Sequence, residues 1–170
     1  MPRFVAFLRG VSPANAKMVE LKRCFDAAGF TEVVTVLSSG NVVFTSDDAP
    51  EVELQQRTEA AMTNGLGRTF PTIVRPLDEL AAMVEADPFA GFNIEVGSKR
   101  VVTFLRLPPP QLALPITYAG ATIWAATDKM VFTSYITNPN GPEFMNLIER
   151  TFSKNVTTRT WQTILKCIAV

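Results

Sequence analysis

The chain has 170 residues, 47% of them hydrophobic and 19% charged, with sixteen basic and sixteen acidic side chains and no histidine. That length buries about 70% of the unfolded surface without a disulfide or metal staple, and the apolar content and zero net charge exclude disorder. Without histidine, Ser-His-Asp and Cys-His catalysis, histidine-ligated metals and histidine pH switches are excluded.

Phe4 to Arg9 is a short apolar run with Val and Phe, and reads as a buried strand. It is far too short for the ~20 residues of a membrane span or for a signal-peptide core. The expected location is therefore the cytoplasm, where Cys24 and Cys167 stay reduced as buried thiols. A loop from Gly10 to Lys17 leads to a helix whose apolar stripe is Leu21, Cys24, Phe25 and Ala28, stopped at Gly29. Glu32 to Leu37 and Asn41 to Ser46 read as two strands of a hairpin turning at Ser38-Ser39-Gly40. Asp47 to Pro50 supplies helix-start chemistry, with capping the expected role of Asp47-Asp48. The second helix carries Leu54, Thr58, Ala61 and Met62 on one face, and Asn64-Gly65-Leu66-Gly67 is expected to break it. Thr69 to Arg75 is a fourth strand. Pro76 opens a third helix with Leu77, Leu80, Ala81 and Val84 in register.

The second part of the chain repeats this pattern. Arg3–Arg9 is matched by Arg100–Arg106 at five of seven positions. Val43-Phe44-Thr45-Ser46 recurs as Val131-Phe132-Thr133-Ser134, and Arg75, Leu77 and Leu80 align with Arg159, Trp161 and Ile164. The first connection of the second copy, Pro108 to Pro115, has room for one helical turn at most, since three successive prolines cannot lie inside a helix. Phe144, Leu147, Ile148, Thr151 and Phe152 share one helix face, and Trp161, Ile164, Leu165 and Ile168 another. Asn138-Pro139-Asn140-Gly141 is a turn by composition. The expected fold class is α+β: two tandem ferredoxin-like βαββαβ-type repeats, each followed by an extra helix. Residues 1–96 form the first repeat and 97–170 the shorter second; the alternative is that the two make one compact unit. The first holds eight basic and thirteen acidic residues, the second eight and three.

Leu8-Arg9-Gly10, Ser39-Gly40-Asn41-Val42-Val43-Phe44 and Thr158-Arg159-Thr160-Trp161 resemble the DUF1697 family over essentially the whole chain. The resemblance implies a duplicated ferredoxin-like α+β fold and implies no function. Many members carry a Gly-Gly pair in the loop after the first strand and Asn before the tryptophan. Here that loop has no glycine pair, and Thr160 stands at the other position.

The candidate ligand-binding residues are Arg9, Gly10, Lys17, Ser39, Gly40, Asn41 and Arg159. Arg9 and Lys17, with loop amides, suit a phosphate or carboxylate. The competing structural role for Arg9 is to pair with an acid between the repeats, as its counterpart Arg106 suggests. Ser39 offers a hydroxyl and Asn41 an orienting amide. Alternatively, Gly40 and Asn41 serve only a tight turn that needs positive φ. Ser39 has no histidine to activate it as a nucleophile. Trp161 is expected in the core. No metal site and no cofactor is implied.

In the expected topology the first and third strands run parallel, so Arg9 and Ser39 should lie at opposite ends of the sheet. The expected function is binding of a small anionic metabolite or nucleotide at the inter-repeat cleft, by Arg9, Arg75, Arg106 and Arg159. The alternatives are a single-stranded RNA module stacking bases on Phe4, Phe7, Phe44, Phe104 and Phe132, and a metal-independent enzyme of unknown reaction. Exposed strand phenylalanines would favour RNA.

Overall fold

A computed structural model describes residues 1–137 and 143–170. Within them the fold is mixed α/β, with five helices and nine strands in two antiparallel sheets. The turn expected at Asn138-Pro139-Asn140-Gly141 lies outside the described residues. By contacts the chain divides into two compact units. One is Met1–Glu85 with Thr163–Val170, the other Ala86–Gln162.

The first unit runs β1 (Arg3–Leu8), α1 (Met18–Ala27), β2 (Thr31–Val36), β3 (Asn41–Thr45), α2 (Glu51–Leu66), β4 (Thr72–Pro76) and α3 (Leu77–Ala86). Its sheet has the order β2-β3-β1-β4, and every neighbouring pair is antiparallel. The expected parallel pairing of the first and third strands is therefore wrong. Phe4 lies opposite Phe44 and Phe7 opposite Asn41. The hairpin sets β3 against β2, and the crossover through α1 leaves β1 and β2 parallel, so β3 between them runs against both.

Alternation along the strands sends Phe4, Ala6, Leu8, Val42, Phe44 and Val74 to the face that meets Leu21, Cys24 and Phe25 of α1 and Leu54 and Met62 of α2. Phe25, Phe30 and Phe44 pack as a triad, with ring centroids 4.4 to 5.9 Å apart. Burial of each such side chain contributes roughly 1.5–3 kcal/mol. Gln55 and Thr58 also lie on the buried side of α2. Gln55 accepts the Val74 amide at 3.0 Å, an edge-strand donor that has no further strand to pair with.

Two helix boundaries differ from expectation. α2 is not broken at Asn64; it continues through Leu66 and ends at Gly67, whose φ of +72° is the usual helix stop. Asp47 does not cap α2. The capping position is Pro50, which makes no side-chain bond, and Asp47 instead accepts from Ser46 and Arg57.

The second unit is built on β5 (Lys99–Leu105), β6 (Ile116–Tyr118), β7 (Ala121–Ala126), β8 (Met130–Tyr135), α4 (Glu143–Phe152) and β9 (Val156–Thr160). The final helix, α5 (Trp161–Ile168), begins in this unit and ends in the first. The sheet order is β6-β7-β8-β5-β9. Where the first unit places α1, the second has the proline-rich connection from 106 to 115 and the short edge strand β6. α4 covers one sheet face through Leu147 and Ile148, which pack with Leu105, Ile123, Val131 and Val156. Tyr135 and Phe144 stack at 4.1 Å. Among the described residues, no helix is long and apolar enough to cross a membrane.

Candidate functional site

Because β1 and β3 are antiparallel, the end of one lies beside the start of the other. The Leu8 amide donates to the Gly40 carbonyl at 2.8 Å, and the next amide, Arg9, donates to Pro71 at 2.9 Å. The Arg9 loop and the Ser39 turn therefore share one end of the sheet. The expected separation of these two motifs is overturned, and the cause is the strand direction.

The loop between β1 and α1 is folded on itself. Asn15 donates to the Gly10 carbonyl at 2.8 Å, and its side-chain oxygen accepts the Ser12 amide at 2.8 Å. Gly10 takes φ +86°, the left-handed turn that glycine adopts without strain. Val11 then lies against the hairpin. A Cβ at Gly40 would sit 2.9 Å from Val11 Cβ and 3.1 Å from Leu8 Cβ, and the φ of Gly40 is +88°. Gly40 is thus required twice, by backbone conformation and by space.

Asn41 is fully buried and is not at positive φ, so its turn role differs from the one expected. Its side-chain amide donates to the Val36 carbonyl and to Ser39 Oγ, both at 2.9 Å. Both amide hydrogens are directed into the hairpin, so Asn41 shapes the turn rather than presenting donors to a ligand. Ser39 is exposed.

Lys17 is exposed and occupies the capping position of α1, where no side chain caps the helix. The Lys17 carbonyl accepts from Glu20 and Leu21. Ser, Thr, Asp or Asn is the usual choice there, and a cation faces the positive end of the helix dipole. Asn15, the nearest residue of capping type, is already engaged with Gly10 and Ser12.

The remaining arginines separate by environment. Arg75 is 4% exposed, donating to Val74 O at 2.9 Å and pairing with Glu51 at 3.5 Å. That burial gives it a structural role, against its expected place among ligand arginines. Arg159 is half-buried on β9 and donates to the Thr158 carbonyl at 3.0 Å. Trp161 is also half-buried, edge-on to Phe89 at 5.4 Å. Arg106 is half-buried and directly follows β5. Arg159 and Arg106 belong to the second unit, and Arg9, Lys17, Ser39, Gly40 and Asn41 to the first.

The five strand phenylalanines are all buried, at 0 to 4% exposure. A sheet that stacks bases needs exposed rings, so these five do not form such a surface. Among the described residues, no group of three or more His, Cys, Asp or Glu side chains is placed to hold a metal ion.

Sequence reasoning missed Val11 and Asn15, the residues that fasten the loop to the turn. Asn15 carried a signal, since an Asn shortly after Ser-Pro commonly bonds nearby backbone. Val11 carried none, because its contact depends on the strand direction.

The family model described as "Protein of unknown function (DUF1697)" matches residues 1–132. No curated protein matches the chain. Among solved structures, the chain is similar to the conserved bacterial protein SP0830 from Streptococcus pneumoniae. The two share 16% sequence identity with a TM-score of 0.70, over 99% of this chain and 97% of that one. At that identity the likeness is one of fold.

Proposed function

The chain belongs to the DUF1697 family, and from that premise we propose that it binds a small anionic metabolite or nucleotide through a phosphate or carboxylate group. The site is the end of the first sheet where the Arg9 loop, the Ser39 turn and the start of α1 converge. Arg9 and Lys17 supply charge, Ser39 a hydroxyl, and α1 the uncapped amides of its first turn. The observation that carries this reading is Lys17 in the capping position of α1 with no side-chain cap. Taken alone, that choice destabilises the helix. An anion bound beside it reverses the sign of the interaction and accepts from the Met18 and Val19 amides, which no side chain caps, the Glu20 amide being bonded to Lys17.

β1 and β2 both run against β3, which lies between them; this split βαβ arrangement supports reading the first unit as ferredoxin-like, and the parallel direction expected for the first and third strands does not belong to that arrangement. Registers support duplication. Val5 pairs with Arg75 and Val102 with Arg159, and each arginine donates Nη1 to the carbonyl before it. The bond from Leu8 to Gly40 is matched by one from Leu105 to Lys129 at 2.9 Å. The Val-Phe-Thr-Ser match is one residue out of this register, since Phe4 faces Phe44 but Val101 faces Thr133. In this reading the second repeat is a shortened copy that lost its first helix. Buried free thiols at Cys24 and Cys167 support a reducing, cytoplasmic location.

The test is calorimetric titration with inorganic phosphate, nucleotides and small carboxylates, on the wild type and on Arg9→Ala and Lys17→Ala. A saturable heat with one anion class, weakened about tenfold or more in either variant, supports the site. Losing one charge-assisted hydrogen bond has that scale. Binding that neither substitution weakens, or no binding by any of these anions, overturns it.

A further inference from the structure

We propose that the groove between α1 and α2 binds a small monocarboxylic acid with an apolar body, its carboxylate on Arg23 and its body along the floor of the groove. The site shares no residue with the anion site of the preceding reading and does not rest on it.

Both helices pack on the same face of the first sheet, and two contacts show that they run in opposite directions. A Cβ at Gly65, near the end of α2, would lie 2.6 Å from Cys24 Sγ. Nearer the start of α2, the Arg57 guanidinium lies 4.7 Å from the centroid of Phe30, just beyond α1. Glu20, Arg23, Cys24 and Ala27 line the groove from α1 at i, i+3, i+4 and i+7. Arg57, Ala60, Ala61 and Asn64 line it from α2 at the same spacing, which puts one stripe of each helix on it. The cavity between the stripes is about 680 Å³, within the roughly 300–1,000 Å³ of small-molecule sites.

Alanine is what leaves this space. Ala27 and Ala60 are exposed and Ala28 and Ala61 half-buried, so an apolar floor stays open where longer side chains would interdigitate. Gly65 brings the helices close enough for Cys24 to shut the bottom, and Cys24 is only 4% exposed. Burial, and after it the Glu20 carboxylate, push the Cys24 thiol above its ordinary value. At neutral pH it is therefore an apolar wall and not a nucleophile, and the ligand is held without a covalent bond.

Charge selects the head group. Arg23 is exposed and has no ion-pair or hydrogen-bond partner among the described residues. A guanidinium takes a carboxylate through two parallel N–H bonds. Asn64, beside Gly65 on the facing stripe, offers an amide donor. Glu20 lines the same groove, and its charge opposes a phosphate dianion more than a single carboxylate. Arg57 is already engaged, over Phe30 and with Asp47 at 3.2 Å, so the other end of the groove does not call for a second anionic group.

The test is NMR of the full-length protein with ¹³C-labelled alanine methyls, titrated with octanoate below its micelle concentration and at constant ionic strength. Acetate, the head without the body, and 1-octanol, the body without the charge, are the controls. Octanoate is expected to move the Ala27, Ala28, Ala60 and Ala61 methyls saturably and to leave Ala121, in the second unit, in place. Arg23→Gln should weaken that response about tenfold, the scale of a lost charge-assisted pair, and 1-octanol should fall short of octanoate by the same factor. Ala27→Leu with Ala60→Leu fills the groove at two exposed positions with a good helix former, so the fold is kept and octanoate should no longer move Ala28 and Ala61. No saturable movement, equal movement by 1-octanol or acetate, or a response that Arg23→Gln or the filled groove leaves unchanged overturns the proposal. Movement of the same methyls on raising the protein concentration alone also overturns it, by showing that a second copy covers the groove.

Discussion

The Leu8 amide and the Gly40 carbonyl meet at 2.8 Å, and that bond joins the Arg9 loop to the Ser39 turn. It exists because β3 runs against β1, and it is closed from above by Val11.

Gly40→Ala therefore meets two penalties. A left-handed φ costs a non-glycine residue roughly 1–2 kcal/mol, and overpacking against Val11 and Leu8 costs about 1–3 kcal/mol. The expected loss is about 2–5 kcal/mol by urea unfolding. Val11→Ala in the same chain removes the Cγ2 contact but keeps Val11 Cβ and Leu8 Cβ, so it should recover a part of the packing cost and none of the backbone cost. Full recovery would mean that backbone strain contributes nothing.

Asn41 and Ser39 should separate in experiment. Asn41→Ala leaves a buried Val36 carbonyl without its side-chain donor and opens a cavity, for an expected loss of about 2–3 kcal/mol. Ser39→Ala removes an exposed hydroxyl that accepts one of the two Asn41 amide bonds, so its effect on unfolding should be smaller, about 0.5–1.5 kcal/mol. If Asn41→Ala unfolds like the wild type but loses anion binding, Asn41 is a ligand group and its role as a turn lock is wrong.

The elements were legible because periodicity reports burial. Leu21, Cys24 and Phe25 repeat at helical spacing and are the buried residues of α1. Phe4 and Phe44 sit on strands whose composition marks them as core. Alternation suits either strand direction, so direction rested on topology alone; the third strand was given the wrong sense relative to the first, and the placement of Arg9 relative to Ser39 failed with it. The role of Asn41 was misread for a local reason. Asn before a strand signals a turn, but the sequence does not say whether its backbone or its amide makes the turn. Lys17 was a candidate for its charge alone, and its capping position became visible only once α1 was seen to start at Met18.

Gly65 sets the approach of α1 to α2. An added Cβ would lie 2.6 Å from Cys24 Sγ. Alanine is otherwise better than glycine in a helix by about 0.8–1.0 kcal/mol. Gly65→Ala alone should destabilise by about 1–2 kcal/mol through this clash. With Cys24→Ala already present, the same change should become neutral or stabilising by up to about 1 kcal/mol. Equal effects in both backgrounds, measured as a double-mutant cycle, would show that Cys24 is not what opposes the new methyl.

Asp47 gives the pH prediction. The Ser46 hydroxyl and then Arg57 hold its carboxyl below the usual carboxylate range. A carboxylate lowered in the folded state stabilises at every pH above its unfolded value. That contribution fades as pH falls through the lower folded value. Asp47→Asn should thus melt below the wild type by a constant margin at neutral and mildly acidic pH. The margin should close once the pH drops below the ordinary carboxylate range. Ser46→Ala should shrink the margin more than Arg57→Gln does, since the hydroxyl is the larger cause. Added salt should weaken only the Arg57 share, because a surface ion pair is screened and a neutral hydrogen bond donor is not. A margin that persists unchanged to strongly acidic pH would assign the loss to packing at the start of α2 and remove Asp47's charge from the account.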